Sequence, residues 1–228
     1  MSEMKALSNP RDAEFLQRFF KTGPGEYGEG DKFRGIRVPV TRTVVRKHRD
    51  VPLDVVVELL RSEFHEDRLV AVLLMVQLYH RGDEKQREAT YRAYLAGAKR
   101  INNWDLVDSS AEFVVGKHLE MRIRKPIYRL AASKNLWERR IAVLSTFHFI
   151  KQKDFDDTFA IAEILMNDRE DLIHKAVGWM IREVANRDGE AARRFLRKHQ
   201  TAMPRTMLRY AIEKFPAPER HAYLKGIA

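Results

Sequence analysis

The chain has 228 residues, with 42 lysines and arginines against 32 aspartates and glutamates, so its formal net charge is +10. Apolar residues make up 44% and charged residues 32%, which is enough for one or two domains with a sizeable core. The sequence contains no cysteine, which excludes disulfides, Fe–S clusters and thiolate zinc sites. The positive charge favours a polyanionic partner, most simply nucleic acid, although an ordinary basic protein would have the same composition.

Targeting and metal-binding signals are also missing from this sequence. The stretch MSEMKALSNP lacks the apolar centre of a signal peptide, and the longest apolar runs are too short to span a bilayer. The eight histidines are scattered, with no pair four residues apart and no His-Glu-x-x-His motif, so a zinc enzyme is not expected. We therefore expect a cytoplasmic, nucleoid-associated protein that uses no cofactor and no metal.

Apolar residues recur at helical spacing along most of the chain, while sustained apolar–polar alternation typical of strands is absent. The sequence therefore predicts an all-α fold. The predicted helices cover residues 52–64, 66–81, 87–100, 103–119, 124–133, 136–151, 155–167, 170–185, 189–199 and 204–215. A capping turn and a short helix are expected in 216–228.

The stretch 21–42 differs from the rest because it is rich in glycine and then basic. We expect a long connection here. It contains Gly-x-Gly fragments, but no strand precedes them and no Gly-Lys-Ser/Thr ending follows. A nucleotide-binding loop is therefore weakly supported.

Five of the helical segments align on an alanine. The alanines follow one another at intervals of 40, 31, 34 and 35 residues, and they are Ala71, Ala111, Ala142, Ala176 and Ala211. This period is typical of helix-pair repeats, which stack into a curved solenoid whose inner face can hold an extended ligand. The alternative is that amphipathic helices resemble one another without being repeats. The near-regular spacing favours the repeats.

Two predicted helices carry tryptophan and charged residues away from their apolar sides. In 170–185, the apolar stripe is opposed by Lys175, Trp179 and Arg182. In 103–119, Trp104 and Asp108 are four residues apart and share one helix face. Trp179 could also pack on a neighbouring repeat. Asp105 lies in the first turn, where a carboxylate favours the exposed N–H groups, so we expect a structural role for it.

Asp108 and Arg139 both precede their aligned alanines by three residues, which assigns both to the inner helices of the repeats. Arg139 and Arg140 follow Trp137, which could be either core or surface. Arginine suits phosphate oxygens, and tryptophan offers a flat apolar face to a sugar or base. A carboxylate repels phosphate and adds nothing to a pure binding surface. Asp108 on a concave basic face therefore favours a catalytic surface.

The segments NWDLVDS, NLWERRIAVL and IHKAVGWMIREVA, in this order, resemble the AlkD-like DNA alkylation repair family. Its members are bacterial DNA glycosylases built from HEAT-like helical repeats. The resemblance covers most of the chain, and it implies a single HEAT-like repeat domain over 1–228. RFFK and FRGIRVPVTR resemble the N-terminal segment of the family more loosely.

The resemblance implies excision of cationic alkylated purines, such as 3-methyladenine and 7-methylguanine, from duplex DNA. We expect the protein to be a monomer. Asp108 corresponds to the catalytic aspartate of the family, and Trp104 and Trp179 correspond to its tryptophans. Arg140 and Arg182 match its arginines, while Lys175 and Arg139 are expected to join them in DNA binding. The family often has tyrosine at the position of Phe19, so this departure removes a hydroxyl and keeps the ring.

A single carboxylate is sufficient for the chemistry that this resemblance implies. Cleavage of an N-glycosidic bond develops positive charge on the sugar, and a cationic purine departs as a neutral base without being protonated. Two other functions remain open on the residues alone. One is a non-catalytic HEAT-like protein that binds bent or branched DNA, which the net charge of +10 supports equally well. The other is a scaffold for protein interactions, a common use of helical repeats.

Overall fold

The computed structural model describes residues 2–227. These residues form an all-α fold, as predicted, and their only extended pairing is an isolated bridge between Lys32 and Phe64. None of the helices within 2–227 has both the length and the apolar character required to cross a membrane.

The chain divides after Val114 into two compact units. The helices of unit 1 are α1 Ser2–Ala6, α2 Pro10–Phe19, α3 Val38–Lys47, α4 Leu53–Leu60, α5 His65–Arg81, α6 Glu84–Ala96, a 3-10 turn Ala98–Arg100, and α7 Trp104–Asp108. A π-helix, Glu112–Gly116, contains the division point. The helices of unit 2 are α8 Lys117–Leu119, α9 Lys125–Ala131, α10 Leu136–Lys151, α11 Asp156–Ile164, α12 Asp171–Ala185, α13 Gly189–His199, α14 Arg205–Ala211 and α15 Ala217–Lys225. The single domain expected for 1–228 stays a prediction.

Unit 1 is built around α5, which packs against α3, α4, α6 and α7. Most residues of α5 are buried, including charged ones at its N-terminal end. Its apolar residues therefore face neighbouring helices on several sides, as in a helix that is central to a bundle. The position of α5 brings its N-terminal turn next to α7.

Unit 2 has a row of three packed helices, with α10 against α12 and α12 against α14. Helices α9 and α11 pack on α10, α13 packs on α12, and α15 packs on α14. This arrangement agrees with helix-pair repeats. The apolar stripe predicted on α12 is buried, and its members are Ile173, Val177, Met180 and Val184.

The five aligned alanines are buried in both units, each with 1% or less of its surface exposed. Four of them lie in α5, α10, α12 and α14, and Ala111 lies just before the π-helix. The alignment therefore identified buried positions.

The single helix predicted over 103–119 is wrong, because the structure contains α7, a turn, the π-helix and α8 in its place. Two serines at the end of α7 explain the break. The Ser109 hydroxyl donates to the Asp105 carbonyl at 2.7 Å, and the Ser110 hydroxyl donates to the Leu106 carbonyl at 2.5 Å. Such bonds to carbonyls four residues back bend helices.

The long connection predicted over 21–42 is shorter in the structure, because α3 begins at Val38. Pro39 in the first turn of α3 suits a helix start, since its missing N–H has no helical partner there. Helix α2 also begins with a proline, and the Asn9 side chain caps it by accepting the N–H groups of Arg11 and Asp12 at 3.1 and 3.3 Å. Tertiary contacts hold the rest of the connection, as described below.

Gly178 lies where α12 packs closely on α14, so a substitution at this position tests that packing. A Cβ at this position would lie 2.4 Å from the Met207 carbonyl oxygen and 2.5 Å from the Tyr210 Cβ. Gly178→Ala must push the two helices apart, so we expect it to lower the free energy of unfolding by about 1–3 kcal/mol, as overpacking does. Urea denaturation followed by circular dichroism would measure the loss.

Gly189→Ala is the matched control for this substitution. Its only close neighbour would be the flexible end of the Arg193 side chain, so the same change should be neutral or stabilising. Equal stability of the two variants would contradict the packing explanation.

Candidate active site

Helix α7 carries the first candidate residues at its two ends. The buried Asn103 precedes it and accepts the Trp104 backbone N–H on its side-chain oxygen at 2.9 Å. Trp104 is therefore the first residue of the helix, and Asp108 is the last. Both side chains are half-buried, while Leu106 between them is fully buried. The structure thus confirms that Leu106 belongs to the buried stripe of this segment.

Aromatic side chains surround the Trp104 indole. Phe20 stacks on it with ring centroids 5.2 Å apart and planes 24° apart, and Phe19 meets it edge-on at 6.1 Å. The indole N–H donates to the Tyr27 hydroxyl at 3.3 Å. Phe19 itself is 53% exposed and stacks on the exposed Phe15 at 6.2 Å. The structure therefore places Phe19 beside Trp104, on the solvent side of these aromatic rings.

Asp108 lies close to a buried tyrosine. Burial raises the pKa of the Tyr94 phenol, and the nearby negative charge of Asp108 raises it further, while a hydrogen bond to Ser110 lowers it. The Tyr94 and Ser110 hydroxyl oxygens are 2.7 Å apart. Tyr94 is accordingly neutral, so it supplies a polar, uncharged neighbour to the end of α7.

Asp105 is bound into a buried ionic cluster. One of its carboxylate oxygens lies 2.8 Å from His65 Nε2, and the other accepts the Leu106 N–H at 3.0 Å. His65 Nδ1 lies 3.2 Å from Asp31, whose other oxygen pairs with Arg68. Two carboxylates and two cations therefore meet at the N-terminal end of α5. This agrees with a structural role for Asp105.

The cluster fixes the charge state of His65. Burial alone would lower the pKa of its imidazole, but the Asp105 and Asp31 carboxylates raise the pKa from 6.5 to about 9. Burial would raise the pKa of Asp31, but His65 and Arg68 hold it below its ordinary value. At neutral pH, His65 is therefore an imidazolium ion, and both of its ring nitrogens donate.

In unit 2, α12 presents the second group of candidates. Trp179 donates its indole N–H to Glu183 at 3.2 Å, and its ring lies 5.9 Å from that of Phe147. Arg182 pairs with the half-exposed Glu213, and Lys175 pairs with Asp171 at 2.7 Å. The three candidates are half-buried, in agreement with their predicted place opposite the apolar stripe.

Helix α10 carries the remaining candidates. Arg139 pairs with Asp168 at 2.6 Å and donates to the Ser133 carbonyl at 3.0 Å. Arg140 is only 5% exposed, and it donates to the Leu172 carbonyl at 2.5 Å. Trp137 is buried, so it belongs to the core. DNA binding by Arg139 and Arg140 stays a prediction, and each guanidinium also joins α10 to a later segment.

Comparison with known proteins identifies the family. The family described as DNA alkylation repair enzyme matches residues 1–215. The chain belongs to this family. Its fold is similar to that of a predicted DNA alkylation repair enzyme from Enterococcus faecalis, with a TM-score of 0.69 over 92% of this chain and 97% of that one. The two sequences are 16% identical, so this likeness concerns the fold alone. No curated protein matches the chain.

The chain belongs to the DNA alkylation repair family, and its structure places further residues around α7 that the sequence did not indicate. His65, Asp31, Phe20 and Tyr27 all lie around α7 but are 39 to 84 residues away from Trp104 in the sequence. Apolar spacing predicted a helix from residue 66 onwards. No local pattern, however, indicated that His65 would contact Asp105.

The ionic cluster predicts a pH dependence of stability. Because the folded pKa of His65 is above the unfolded one, its contribution is complete below about pH 6.5 and is lost as pH rises through about 9. At about 1.4 kcal/mol per pH unit, the loss amounts to about 3 kcal/mol. Urea denaturation between pH 6 and pH 10 should show this decline in the wild type. His65→Gln should remove it.

His199→Gln serves as the control for this measurement. His199 also faces a carboxylate, that of Glu163 at 2.9 Å, and its ring also contacts a phenylalanine, Phe195, at 4.5 Å. It lies outside the cluster, so the decline should remain. A wild-type stability that is constant between pH 6 and pH 10 would contradict the assigned charge state.

Proposed function

We propose that the protein is a monofunctional DNA glycosylase that hydrolyses the N-glycosidic bond of cationic alkylated purines in duplex DNA. Family membership supports a role in alkylation repair. The proposed substrates are 3-methyladenine and 7-methylguanine. We propose further that the protein acts in base excision repair without a cofactor, as a monomer associated with the nucleoid.

The observation that carries this proposal is the arrangement of α7. An indole supported on one face by Phe20 and a half-buried carboxylate occupy the two ends of a single-turn helix, one turn apart. The indole is held at its N–H edge by Tyr27. A rigid apolar wall beside a carboxylate suits a reacting group that is flat or apolar and becomes positively charged.

The proposed reaction is a hydrolysis. The bond between C1′ and the purine nitrogen breaks, and its electron pair neutralises the cationic base, which departs. Positive charge develops on the sugar, and a water oxygen forms a new bond to C1′ and loses a proton. Asp108 would stabilise the charged sugar and orient the water. The proton would pass to this carboxylate or to solvent.

Simple magnitudes support the assignment. A carboxylate 4 Å from a unit positive charge contributes about 4 kcal/mol at an effective dielectric constant of 20. An indole face near the same charge adds about 0.5–2 kcal/mol. Preorganised charges of this kind are often the largest catalytic contribution. Trp104 would provide one such face, and Trp179 is the second tryptophan that we assign to substrate contact.

Unit 2 would supply DNA contacts. Arg182 pairs with Glu213 and Lys175 pairs with Asp171, and both carboxylates are about half-exposed, so a phosphate could compete for either cation. Arg139, Arg140 and Phe19 complete the proposed DNA-binding residues. Contacts to phosphates position the duplex without selecting its sequence.

Asp108→Asn tests the catalytic assignment. We expect base release from duplex DNA containing 7-methylguanine to slow by about 100- to 1000-fold, as when one charge-stabilising group is removed. DNA affinity should stay the same or increase, because a negative charge near phosphates is removed. Asp54→Asn is the matched control, since it makes the same change at an exposed site in the first turn of α4.

Two results would decide against the proposal. Equal release by the wild type and Asp108→Asn would refute the role of Asp108. If the wild type releases no cationic adduct but binds DNA in a salt-dependent manner, the non-catalytic DNA-binding alternative replaces the enzyme.

Glu213→Gln tests the role of Arg182. Removing the carboxylate that pairs with Arg182 should leave the guanidinium available to phosphate and tighten DNA binding, whereas Arg182→Gln should weaken it and reduce the salt dependence by about one phosphate contact. Fluorescence anisotropy with labelled duplex over a range of salt concentrations would measure both effects.

Glu190→Gln makes the same change in net charge elsewhere in unit 2. Glu190 is exposed on α13 and pairs with Arg193 and Arg197. Its substitution should change affinity less than Glu213→Gln does. Equal tightening by both variants would mean that only net charge matters, and it would remove the specific role of Arg182.

A further inference from the structure

We propose that His65 is a positioning residue that holds Trp104 and the start of α7 in the orientation required for base excision. This proposal rests on the proposed function, because it concerns the same site. His65 is assigned no contact with DNA, since its side chain is 2% exposed. It acts through two separate sets of contacts, one ionic and one aromatic.

The ionic contact reaches α7 through Asp105. His65 Nε2 donates to Asp105 at 2.8 Å, and Asp105 directly follows Trp104 and precedes Asp108 by three residues. Helix α7 has only five residues, so its own hydrogen bonds hold it weakly. A charge-assisted bond of this kind is shorter and stronger than a neutral one. His65 therefore fixes the short helix to the long, buried α5.

A second carboxylate completes the arrangement on the far side of the ring. His65 Nδ1 lies 3.2 Å from Asp31, and Arg68, one turn along α5, pairs with the other oxygen of Asp31. The side chains of Asp31, His65 and Arg68 are all at most 4% exposed. Two positive and two negative groups are thus matched inside the unit. With both nitrogens engaged, the imidazole ring has a single orientation.

The aromatic contacts link His65 to Trp104 through the ring of Phe20. The His65 ring lies 4.6 Å from Phe33, with planes 20° apart, and 4.8 Å from Phe20. Phe20 then stacks on Trp104 at 5.2 Å. Fixing the plane of the imidazole therefore fixes Phe20, and Phe20 supports one face of the indole. The ionic and aromatic routes both begin at His65 and converge on the first residues of α7.

The residues that follow His65 in α5 bind a different part of the chain, the segment before α3. Their contacts support the fold and do not involve His65. Glu66 accepts the backbone N–H groups of Arg34, Gly35 and Ile36 at 2.8, 2.8 and 3.1 Å. Asp67 pairs with Arg34 at 2.7 Å. These bonds attach the segment before α3 to α5 and remain when His65 is replaced. A His65 variant is therefore expected to fold with α7 less well oriented.

Fluorine NMR of protein labelled with 5-fluorotryptophan tests this link without relying on activity. The chain has three tryptophans, and Trp104→Phe assigns the resonance of interest. In His65→Gln we expect the Trp104 resonance to shift or broaden, while those of Trp137 and Trp179 in unit 2 stay in place. His199→Gln, which removes a histidine–carboxylate pair in unit 2, should leave the Trp104 resonance unchanged.

Single-turnover excision of 7-methylguanine at saturating enzyme tests the consequence. His65→Gln and Asp105→Asn should each lower the rate constant by about tenfold, with duplex affinity changed less than twofold. The double variant should be no slower than the slower single variant, because both substitutions break the same contact. If His65→Gln does not fold, Asp105→Asn alone carries both measurements, since it keeps the side-chain oxygen that accepts the Leu106 N–H.

The outcomes separate the two proposals. An unchanged Trp104 resonance in His65→Gln or Asp105→Asn overturns the positioning role, whatever the activity. Multiplicative losses in the double variant overturn it as well. A shifted Trp104 resonance in a protein whose wild type releases no base supports the contact between His65 and α7, and it refutes the proposed function instead.

Discussion

A buried charge must be neutralised where it lies, because leaving it unpaired in the interior costs several kcal/mol. This constraint organises unit 1. The cations His65 and Arg68 and the carboxylates Asp31 and Asp105 come from three separate parts of the chain, and each contact between them offsets the cost of burying the two groups. Their meeting requires the glycine-rich connection, α5 and α7 to adopt one relative arrangement. The aromatic rings around Trp104 then pack on a fixed frame.

Local patterns predicted the parts of the fold that depend on near neighbours. Helical spacing identified the apolar stripe of α12, and the aligned alanines marked buried positions in α5, α10, α12 and α14. The prediction of one helix over 103–119 was wrong because the Ser109 and Ser110 side chains hydrogen-bond to backbone carbonyls at the end of α7. The predicted connection over 21–42 was also too long, because it was inferred from the glycines before α3. Helix α3 begins at Val38, where Pro39 suits the first turn of a helix.

The candidate site divides in the same way. Trp104 and Asp108 could be singled out because their four-residue spacing already implies a shared helix face. The neighbours of Trp104 could not, because Tyr27, which contacts it, is 77 residues away in the sequence. His65, which contacts the next residue, Asp105, is 40 residues away from that partner. For Asp105, the sequence alone indicated only a structural role in the first turn of a helix. Its partnership with a buried imidazolium exists only once α5 and α7 are packed together.

Electrostatic interactions act differently at long range and at contact distance, and the two carboxylates of α7 show the difference. The net charge of +10 acts on DNA from a distance and is screened beyond about 8–10 Å at physiological salt. At contact distance a single carboxylate dominates, since its interaction with a unit charge is worth about 4 kcal/mol at 4 Å. Asp105 directs this interaction inward to His65. Asp108, three residues later, would direct it towards a sugar, so a basic protein can attract a polyanion and still stabilise a local positive charge.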